Sequence, residues 1–339
     1  MKSAYFLTTE PGWAFATLRE LRGLGVAARV AFHHRDSTLL APASPRLESV
    51  RLLTAASVHG SLAEFGRSGK SDATRELARR LDSTRLKASV LRWLPLAERT
   101  AARRYSVTTE LYGRTSIRRD ELDGIVSRAA GAAFPRWRRS QREGVRLVCK
   151  ADPEKAVLGL QLYSNLGSEQ DGRPGVLRRH LACGLLTVAG VGSAARVFDP
   201  FMGTGTILRT AADTFGVRLG IGLEVDADAY RHACNRLADQ PTMLANMSFE
   251  EFDYASLPAG CRLVSNLPFG VRFAQVRTAA LLRLLAREEL KRSPVALLLS
   301  REQADRLAAK CGLRRKNVLI LGQPASILHG SAAAQHGRG

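Results

Sequence analysis

Four consecutive residues, Asn266, Leu267, Pro268 and Phe269, could together hold a planar group that carries an amino group. The side-chain oxygen of Asn266 and the backbone carbonyl of Leu267 can each accept a hydrogen bond from an exocyclic NH2. Pro268 fixes φ and so aims that carbonyl, and Phe269 can stack on the plane of a base. An aromatic amine is a poor nucleophile, so two acceptors holding it beside an electrophile would act by positioning and electrostatics. Taken alone, the same residues also suit a strand that ends at a proline beside a buried phenylalanine.

A second stretch, "DPFMGTGTIL", has the glycine spacing of a ligand-binding turn between a strand and a helix. Gly203 and Gly205 allow the backbone to turn sharply and to approach a ligand closely. The helix that follows offers unpaired N–H groups at its first turn. The stretch has no P-loop lysine and does not match G-x-G-x-x-G, so neither phosphate-binding motif is indicated. The candidate ligand contacts are Asp199, Pro200, Phe201, Met202, Gly203, Thr204, Gly205 and Thr206.

Acidic residues follow the next two predicted strands. Glu224, with Val225 beside it, ends "GIGLEVD" about twenty residues after the glycines, where a carboxylate can accept hydrogen bonds from two ribose hydroxyls. Asp226 could take that role instead, or it could cap the next helix. Asp253, in "FEEFDYASL", is expected to end the third strand and to accept a hydrogen bond from an adenine amino group.

From Arg173 onwards, predicted strands and helices alternate along the chain. This alternation predicts an α/β fold with a parallel, doubly wound sheet, helices on both faces and an antiparallel hairpin at one edge. The carboxyl ends of parallel strands meet at one edge of such a sheet. One crevice suited to an adenosyl-bearing ligand is therefore expected to be lined by Asp199 with its glycines, Glu224, Asp253 and Asn266. Asn266 is expected to contact both this ligand and the molecule that carries the amino group.

The chain upstream is predicted to hold two smaller modules. Residues 1–67 have the pattern of a small mixed unit, and the polar stretch "GRSGKSD" marks its end. Residues 71–166 have the pattern of an α+β module with two helices and several strands. Residues 173–330 form the alternating region, and residues 331–339 are expected to be a flexible tail.

The formal net charge is +20, and the basic excess lies in the first half and the C-terminal part of the chain. This asymmetry suggests a surface for a polyanion; general use of arginine as a surface cation remains the alternative. The stretch "FPRWRRSQR" interleaves aromatic residues with arginines, a composition suited to stacking on bases while contacting phosphates, although an exposed polar loop would look the same. The candidate RNA contacts are Arg118, Arg119, Arg136, Arg138, Arg139 and Arg142.

Several classes of protein are not indicated. No apolar run reaches the roughly 18–20 residues of a membrane helix, and no signal peptide is recognisable, so we expect a cytoplasmic protein. The five cysteines are scattered, which predicts reduced thiols and no zinc site. We accordingly expect no metal.

The glycine turn, the acidic end of the second strand and "NLPFG" resemble the S-adenosylmethionine-dependent amino-methyltransferases of the Rossmann-like class. Their motif, [Asn/Asp/Ser]-x-Pro-[aromatic], is matched by residues 266–269. The order of the upstream modules, with "LGLQLY" and the connector "RPGVLRRHLA", extends the resemblance to the THUMP-domain-containing tRNA guanine-N2-methyltransferase family. This wider resemblance covers essentially residues 1–330.

The resemblance implies a ferredoxin-like unit, a THUMP RNA-binding module and a Rossmann-like methyltransferase domain. It further implies S-adenosyl-L-methionine as the cofactor and tRNA as the partner, bound at its 3′ end, with N2-methylguanosine formed at position 6 of the acceptor stem. Family members often carry Asp or Asn followed by Pro-Pro-Tyr, whereas Leu267 and Phe269 stand here. Phe269 keeps the aromatic plane and lacks the phenolic hydroxyl. The segment between "LGLQLY" and "RPGVLRRH" also lacks the Arg-x-Tyr-Arg element expected in many relatives.

Four alternatives stay open. The same chemistry could act on ribosomal RNA guanine, on DNA adenine or on a protein glutamine amide, although the arginine-rich module disfavours a protein substrate. The chain could also be a non-catalytic RNA-binding protein that retains the cofactor fold. We expect a monomer.

Overall fold

The computed structural model describes residues 4–33, 37–98, 103–141, 143–166, 176–268 and 278–331. The chain divides into two compact units. Unit 1 comprises residues 1–10 and 21–166, and unit 2 comprises residues 11–20 and 167–339. Two predicted site residues, Phe269 and Arg142, lie outside the described residues, as does the predicted tail beyond residue 331.

Unit 1 contains one eight-stranded sheet and the helices that accompany it. Its strands are β1 (Tyr5–Thr9), β2 (Arg29–His33), β3 (Ser37–Ala41), β4 (Ser57–Gly66), β5 (Arg104–Leu111), β6 (Arg138–Arg139), β7 (Val145–Ala151) and β8 (Lys155–Ser164). Its helices are α2 (Pro45–Ser49), α3 (Ala73–Arg80), α4 (Ser83–Trp93) and α5 (Arg119–Ala133). The strand order is β2-β3-β1-β4-β8-β7-β5-β6. Because β4 pairs with both β1 and β8, the two predicted upstream modules share this sheet.

The sequence predicts two helices and several strands for the second module, and its described residues contain three α-helices, because the first predicted helix is divided into α3 and α4. β5 covers "RYSVTTEL", α5 covers "RDELDGIVSRAAGAA", and β7 and β8 are joined by a turn at Asp152 and Pro153. The side chain of Asp152 accepts hydrogen bonds from the backbone N–H groups of residues 154 and 155, which closes that turn. Asp72 caps α3 by accepting from the Arg75 backbone N–H at 3.0 Å.

Unit 2 contains a seven-stranded sheet. Its strands are β9 (Arg196–Asp199), β10 (Leu219–Leu223), β11 (Thr242–Ala245), β12 (Cys261–Asn266), β13 (Pro294–Ser300), β14 (Arg314–Ile320) and β15 (Gln323–Ser331). Its helices are α6 (Arg179–Val188), α7 (Thr206–Phe215), α8 (Ala227–Leu237), α9 (Thr278–Leu285) and α10 (Arg301–Cys311). Helix α1 (Ala14–Gly23) begins within the segment of residues 11–20.

The strand order of this second sheet is β11-β10-β9-β12-β13-β15-β14. The first five strands in that order are parallel, and β15 is antiparallel to both of its neighbours. Buried apolar side chains form two clusters that contain different sets of strand and helix residues. The predicted doubly wound parallel sheet with an antiparallel pair at one edge is therefore confirmed. In that pair, β15 lies between β13 and β14, so β14 is the outermost strand.

Residues 11–20 are an integral part of unit 2. The Trp13 side chain is 2% exposed and belongs to the same apolar cluster as α6. A Cβ at Gly184 on α6 would lie 2.9 Å from the Trp13 ring, so only glycine leaves room for that ring. The carbonyl of Pro11 accepts a hydrogen bond from the Leu319 backbone N–H of β14 at 3.0 Å.

The prediction that Asp253 ends the third strand is wrong. The strand that pairs with β10 is β11, which ends at Ala245, well before Asp253. Between them, the Ser248 hydroxyl accepts from the Glu250 backbone N–H at 3.2 Å, and the Ser248 N–H donates to the Glu251 carboxylate at 3.1 Å. Such side-chain-to-backbone bonds compete with strand pairing.

Aromatic residues at alternating positions suggested a strand here. In the structure these residues lie in the turn, and their rings pack against the core. Phe249 is buried and its ring centroid lies 4.9 Å from that of Phe201. The Phe252 ring lies 5.7 Å from Phe198 and 5.2 Å from Tyr254. Alternation of apolar residues therefore reflected a turn that packs against the core. None of the described helices is long and apolar enough to cross a membrane.

Candidate active site

The candidate site lies where the strand order of the second sheet reverses. The chain runs from β9 outward to β10 and β11 on one side, and from β12 to β13 on the other. Adjacent strands whose connections leave in opposite directions form a crevice at their carboxyl ends, where open α/β sheets bind ligands. Asp199 ends β9, Glu224 follows β10 and Asn266 ends β12, so three of the four expected strand ends are brought to this edge.

The turn between β9 and α7 needs both of its glycines. Gly203 and Gly205 have φ of +55° and +78°, in the left-handed region that favours glycine. A Cβ at Gly205 would lie 2.7 Å from the Leu237 side chain, so packing also requires glycine there. A Cβ at Gly203 would meet no atom of the described residues within 4 Å, so among these residues this part of the turn faces open space.

The other residues of the turn hold it in place. The Met202 backbone N–H donates to the Leu223 carbonyl at 3.0 Å, and its side chain is buried beside Gly222. Pro200 is buried and Phe201 is half-buried. The Thr206 hydroxyl lies 3.3 Å from the Arg236 guanidinium, which donates to it, and Thr204 is half-buried.

The Glu224 carboxylate joins the end of β10 to the glycine turn. One oxygen accepts from the Gly203 backbone N–H and the other from the Asp226 backbone N–H, each at 2.9 Å. The Asp226 side chain accepts from the Ala229 N–H at 2.7 Å and caps α8, as the capping alternative predicted. Val225 is 68% exposed, which leaves an apolar side chain in solvent beside the carboxylate.

Asp199 is a buried acid at the centre of this edge, 1% exposed. Its Oδ1 accepts from the Ser265 hydroxyl at 2.5 Å and from the Phe201 backbone N–H at 3.2 Å. Its Oδ2 is buried and has no hydrogen-bond partner among the described residues. Burial raises the pKa of Asp199 to about 7; the bonds from Ser265 and Phe201 lower it and the charge of Glu224 raises it.

Asn266 and the two residues after it end β12. Asn266 lies opposite Leu298 in the β12–β13 register, and its Oδ1 is a buried atom without a partner among the described residues. The Leu267 backbone N–H donates to the Leu298 carbonyl at 2.9 Å, and the Leu267 side chain is fully buried in the core. The leucine side chain is therefore a core residue, and only its backbone is placed to serve a ligand.

Among the described residues, no hydrogen bond or ion pair joins Asp253 to the other predicted site residues. Its Oδ1 accepts from the Ala255 backbone N–H at 3.0 Å and caps a short 3-10 helix, Tyr254–Ser256. Sequence reasoning also missed Ser265, which touches Asp199 directly. The available signal was a polar residue inside the otherwise apolar run "LVSN".

The arginines predicted to contact RNA are exposed on unit 1 where the structure describes them. Arg118 pairs with Asp120, and Arg139 pairs with Asp123. Phe134 and Trp137 stack on each other with centroids 4.2 Å apart, and Phe134 is 8% exposed. One face of Trp137 is thus occupied by Phe134, so these aromatics are less open to bases than the sequence suggested.

Unit 1 also contains a polar pocket of about 200 Å³ that the sequence did not predict. A chain of contacts on its wall joins Thr8 Oγ1 to Ser57 Oγ at 2.5 Å and Ser57 Oγ to His59 Nε2 at 2.8 Å. Burial, followed by the charges of Lys150 and Arg146, holds the pKa of His59 well below its usual 6.5. The imidazole is therefore neutral at physiological pH. Among the described residues, no group of three or more His, Cys, Asp or Glu side chains could hold a metal ion.

Comparisons with known proteins agree with this geometry. Residues 167–303 match the family model described as UPF0020: RMKL-like, methyltransferase domain. A curated relative, "tRNA (guanine(6)-N2)-methyltransferase" of Thermus thermophilus, is 29% identical over 189 residues, which are 54% of this chain and 56% of that protein. The match therefore spans little more than half the length of either protein.

Solved structures share the whole fold. The crystal structure of TrmN from Thermus thermophilus superposes with a TM-score of 0.70 at 22% identity, covering 98% of this chain and 100% of that one. A putative methyltransferase solved in complex with SAH superposes with a TM-score of 0.62 at 14% identity, covering 100% of both chains. The α/β fold is shared with these structures, and residues 167–303 are matched by the RMKL-like methyltransferase domain model.

Proposed function

We propose that this protein is an S-adenosylmethionine-dependent methyltransferase that forms N2-methylguanosine in tRNA. The observation that carries the proposal is the position of Asn266: it ends β12, beside the strand that leads into the glycine turn, and its buried Oδ1 has no partner among the described residues. A hydrogen-bond acceptor left open at a ligand edge suits an amino group. The name of the curated relative supports the choice of a tRNA guanine.

The residues of the crevice fit S-adenosylmethionine. Asp199 Oδ2 is an open buried acceptor, and Gly203 faces open space. Each Glu224 oxygen accepts one backbone N–H, which leaves lone pairs for ribose hydroxyls. The exposed Val225 offers an apolar surface to a base. When bound, the cofactor supplies an electrophilic methyl group on a sulfonium.

The tetrapeptide would hold the acceptor. Asn266 Oδ1 and the Leu267 carbonyl accept the two hydrogens of the guanine N2 amino group, and Phe269 stacks on the base. The bond from the Leu267 N–H to the Leu298 carbonyl anchors the residue that presents this carbonyl. Because an aromatic amine is a weak nucleophile, rate enhancement comes from positioning and from acceptors placed where positive charge develops.

Asp253 remains our proposed contact for the adenine amino group. It is exposed, and one oxygen is used by the Ala255 N–H, which leaves the other for a ligand. The cap that it forms also fixes the backbone of the loop that would lie beside the base. An Asp253→Asn change is therefore expected to weaken cofactor binding and to keep the fold.

Unit 1 would bind the tRNA. We assign a ferredoxin-like domain to residues 1–67, apart from the segment of residues 11–20 that belongs to unit 2, and a THUMP module to residues 71–166. The tRNA contacts would come from the exposed arginines and from the predicted Arg142. These cations would supply most of the affinity and make it strongly salt-dependent. The polar pocket, with its hydroxyls, Arg146 and Lys150, suits one nucleotide of the tRNA 3′ end. Position 6 of the acceptor stem is the proposed target, and its guanine must leave the helix stack at a cost of roughly a few kcal/mol.

The deciding experiment is methyl transfer from labelled S-adenosylmethionine to total tRNA, followed by mass spectrometry of the nucleosides. N2-methylguanosine is the expected product, and sequencing of the labelled tRNA would test position 6. Ribosomal RNA and duplex DNA, assayed in parallel, test the two alternative acceptors. Label in either of these and none in tRNA would overturn the tRNA assignment. If the protein binds the cofactor but transfers label to no nucleic acid, the proposal that it methylates a nucleic acid would be overturned.

A further inference from the structure

A buried hydrogen bond links the two sequence stretches of the candidate site. Ser265 Oγ lies 2.5 Å from Asp199 Oδ1. The two residues are 0% and 1% exposed. Asp199 leads into the glycine turn, and Ser265 directly precedes Asn266 on the neighbouring parallel strand. The hydroxyl therefore connects the turn proposed for the cofactor to the strand end proposed for the acceptor.

The two oxygens of Asp199 are in different situations. Oδ1 is held by the Ser265 hydroxyl and the Phe201 N–H, whereas Oδ2 is buried without a partner among the described residues. An unheld carboxylate can rotate about its terminal torsion, because that torsion has a broad energy profile. The bonds to Oδ1 oppose this rotation and keep Oδ2 as the open acceptor.

We propose that Ser265 is a positioning residue for methyl transfer: its hydroxyl holds the Asp199 carboxylate in its ionised form, with Oδ2 presented to the bound methyl donor. This rests on the function proposed above. Ser265 acts through Asp199 and is not expected to touch either reactant. The sulfonium and the amino group of the donor are cationic, so an ionised acid beside the site favours binding.

The ionisation of Asp199 reflects opposing influences. Burial raises its pKa to about 7, and Glu224 at the end of β10 raises it further, while the Ser265 and Phe201 bonds lower it. A hydrogen bond to a charged group stabilises the charged form. Loss of the Ser265 hydroxyl should therefore raise the pKa of Asp199, by about one pH unit.

The first test measures binding of S-adenosylhomocysteine to the full chain by calorimetry between pH 5.5 and 9. In the wild type, affinity should fall as pH drops through the pKa of Asp199, because the protonated acid no longer attracts the cationic end of the ligand. In Ser265→Ala the midpoint of that fall should lie about one pH unit higher. Ser265→Thr keeps the hydroxyl and should restore the wild-type midpoint.

A matched control is Ser326→Ala. Ser326 is a fully buried serine on β15, and its hydroxyl donates to Asn317 at 3.0 Å. It lies on the same sheet and loses an equivalent hydrogen bond, yet it does not contact Asp199. Its binding midpoint should stay at the wild-type value, so a general loosening of the sheet would be recognised by a shift in this control.

The second test needs no ligand. The folded pKa of Asp199 lies above its ordinary 3.8, so its contribution to stability is present at low pH and is lost as pH rises through about 7. Urea unfolding of Ser265→Ala should show this loss extending to higher pH by about one unit. Asp199→Asn cannot titrate and should lack this component.

The outcomes separate the two proposals. If wild-type protein binds the ligand and Ser265→Ala has unchanged midpoints in both tests, the positioning role is wrong and the proposed function survives. If the wild type binds no S-adenosylhomocysteine at any pH, the proposed function is overturned and the positioning role falls with it. Shifted midpoints in both tests, with the serine control unmoved, would establish the link.

Discussion

At the scale of single residues, two buried oxygens without partners among the described residues mark the candidate site: Asp199 Oδ2 and Asn266 Oδ1. A buried acceptor without a donor costs roughly 1–3 kcal/mol. Both lie at strand ends on the edge of the sheet that we propose binds the cofactor, where a ligand can supply the donors. A ligand that donates hydrogen bonds to these oxygens would remove this cost. Mutation of either residue should therefore affect ligand binding and the stability of the free protein differently.

Asn266→Ala should abolish methyl transfer and leave the fold intact. The change removes one of two acceptors for the amino group, and loss of a positioned hydrogen-bonding group typically lowers kcat by about 10²–10³-fold. Stability should not fall, because the lost oxygen has no partner among the residues that the structure describes. Single-turnover kinetics with tRNA, together with S-adenosylhomocysteine binding, measure the two effects. Asn317→Ala, on the edge strand β14, is the matched control, and full activity in Asn266→Ala would contradict the mechanism.

Two glycines of unit 2 should differ in how much stability is lost when alanine replaces them. Gly205→Ala combines a left-handed φ of +78° with overlap against Leu237, and should lower the free energy of unfolding by about 3 kcal/mol. Gly216→Ala, at φ of +59° with open space around it, should cost about 1 kcal/mol from conformation alone. Urea unfolding of both variants gives the comparison. Equal losses would show that contact with Leu237 is relieved by relaxation of that side chain.

At the scale of elements, the strand ends at Asp199, Glu224 and Asn266 could be predicted from sequence. Each follows a short apolar run and precedes a polar or glycine-rich turn, and parallel strands bring such ends together. Asp253 could not be placed by the same rule, because Phe249 and Phe252 imitate the alternation of a strand while packing from a capped turn. Local bonds that join Ser248 to Glu250 and Glu251, each between a side chain and the backbone, favour that turn.

The bond between Ser265 and Asp199 was beyond sequence reasoning. The two residues are separated by 66 positions, and their contact depends on β12 lying next to β9 in the correct register. Strand order is set by packing over the whole sheet, which no local pattern encodes. A serine in a buried strand indicates that its hydroxyl has a hydrogen-bond partner, but the sequence does not show which residue that partner is.

In unit 1, the sheet around β4 should become less stable in acid. The pKa of His59 is held well below 6.5, first by burial and then by Lys150 and Arg146. Its contribution to stability is therefore present above pH 6.5 and is lost as pH falls towards the folded pKa. Hydrogen exchange of β4 peptides between pH 5 and 8, corrected for intrinsic rates, should show the loss. In His59→Gln this pH dependence should be weaker; an unchanged profile would assign it to other groups.

At the scale of the whole chain, residues 11–20 belong to unit 2 while the residues on both sides belong to unit 1. The pattern of alternating strands and helices began only at residue 173, so sequence reasoning placed this segment with the first module. Trp13 and its contact with Gly184 show where the segment packs. An amphipathic helical pattern indicates that one face of the helix is buried, but it does not indicate which other element packs against that face.

Trp13→Ala should therefore destabilise unit 2. Removal of a fully buried tryptophan costs about 3–5 kcal/mol, and the effect should appear as faster amide exchange in α6, although α6 is distant in sequence. Trp137→Ala, which removes a half-buried ring stacked on Phe134 in unit 1, is the control and should leave exchange in α6 unchanged. Protection of α6 in Trp13→Ala equal to that of the wild type would contradict the assignment of this segment.

The bond between the Pro11 carbonyl and the Leu319 N–H also has a consequence for synthesis on the ribosome. It joins a segment that is translated before most of unit 1 to a strand that is translated after the last strand of unit 1. Every strand of unit 1 has been translated by residue 166, so that unit can fold while the chain is still growing. Unit 2 cannot complete its edge until β14 and β15 have been made, and the Pro11 carbonyl has no β14 partner until then. Translation pauses late in the message should consequently leave nascent chains with unit 1 folded and unit 2 dependent on chaperones.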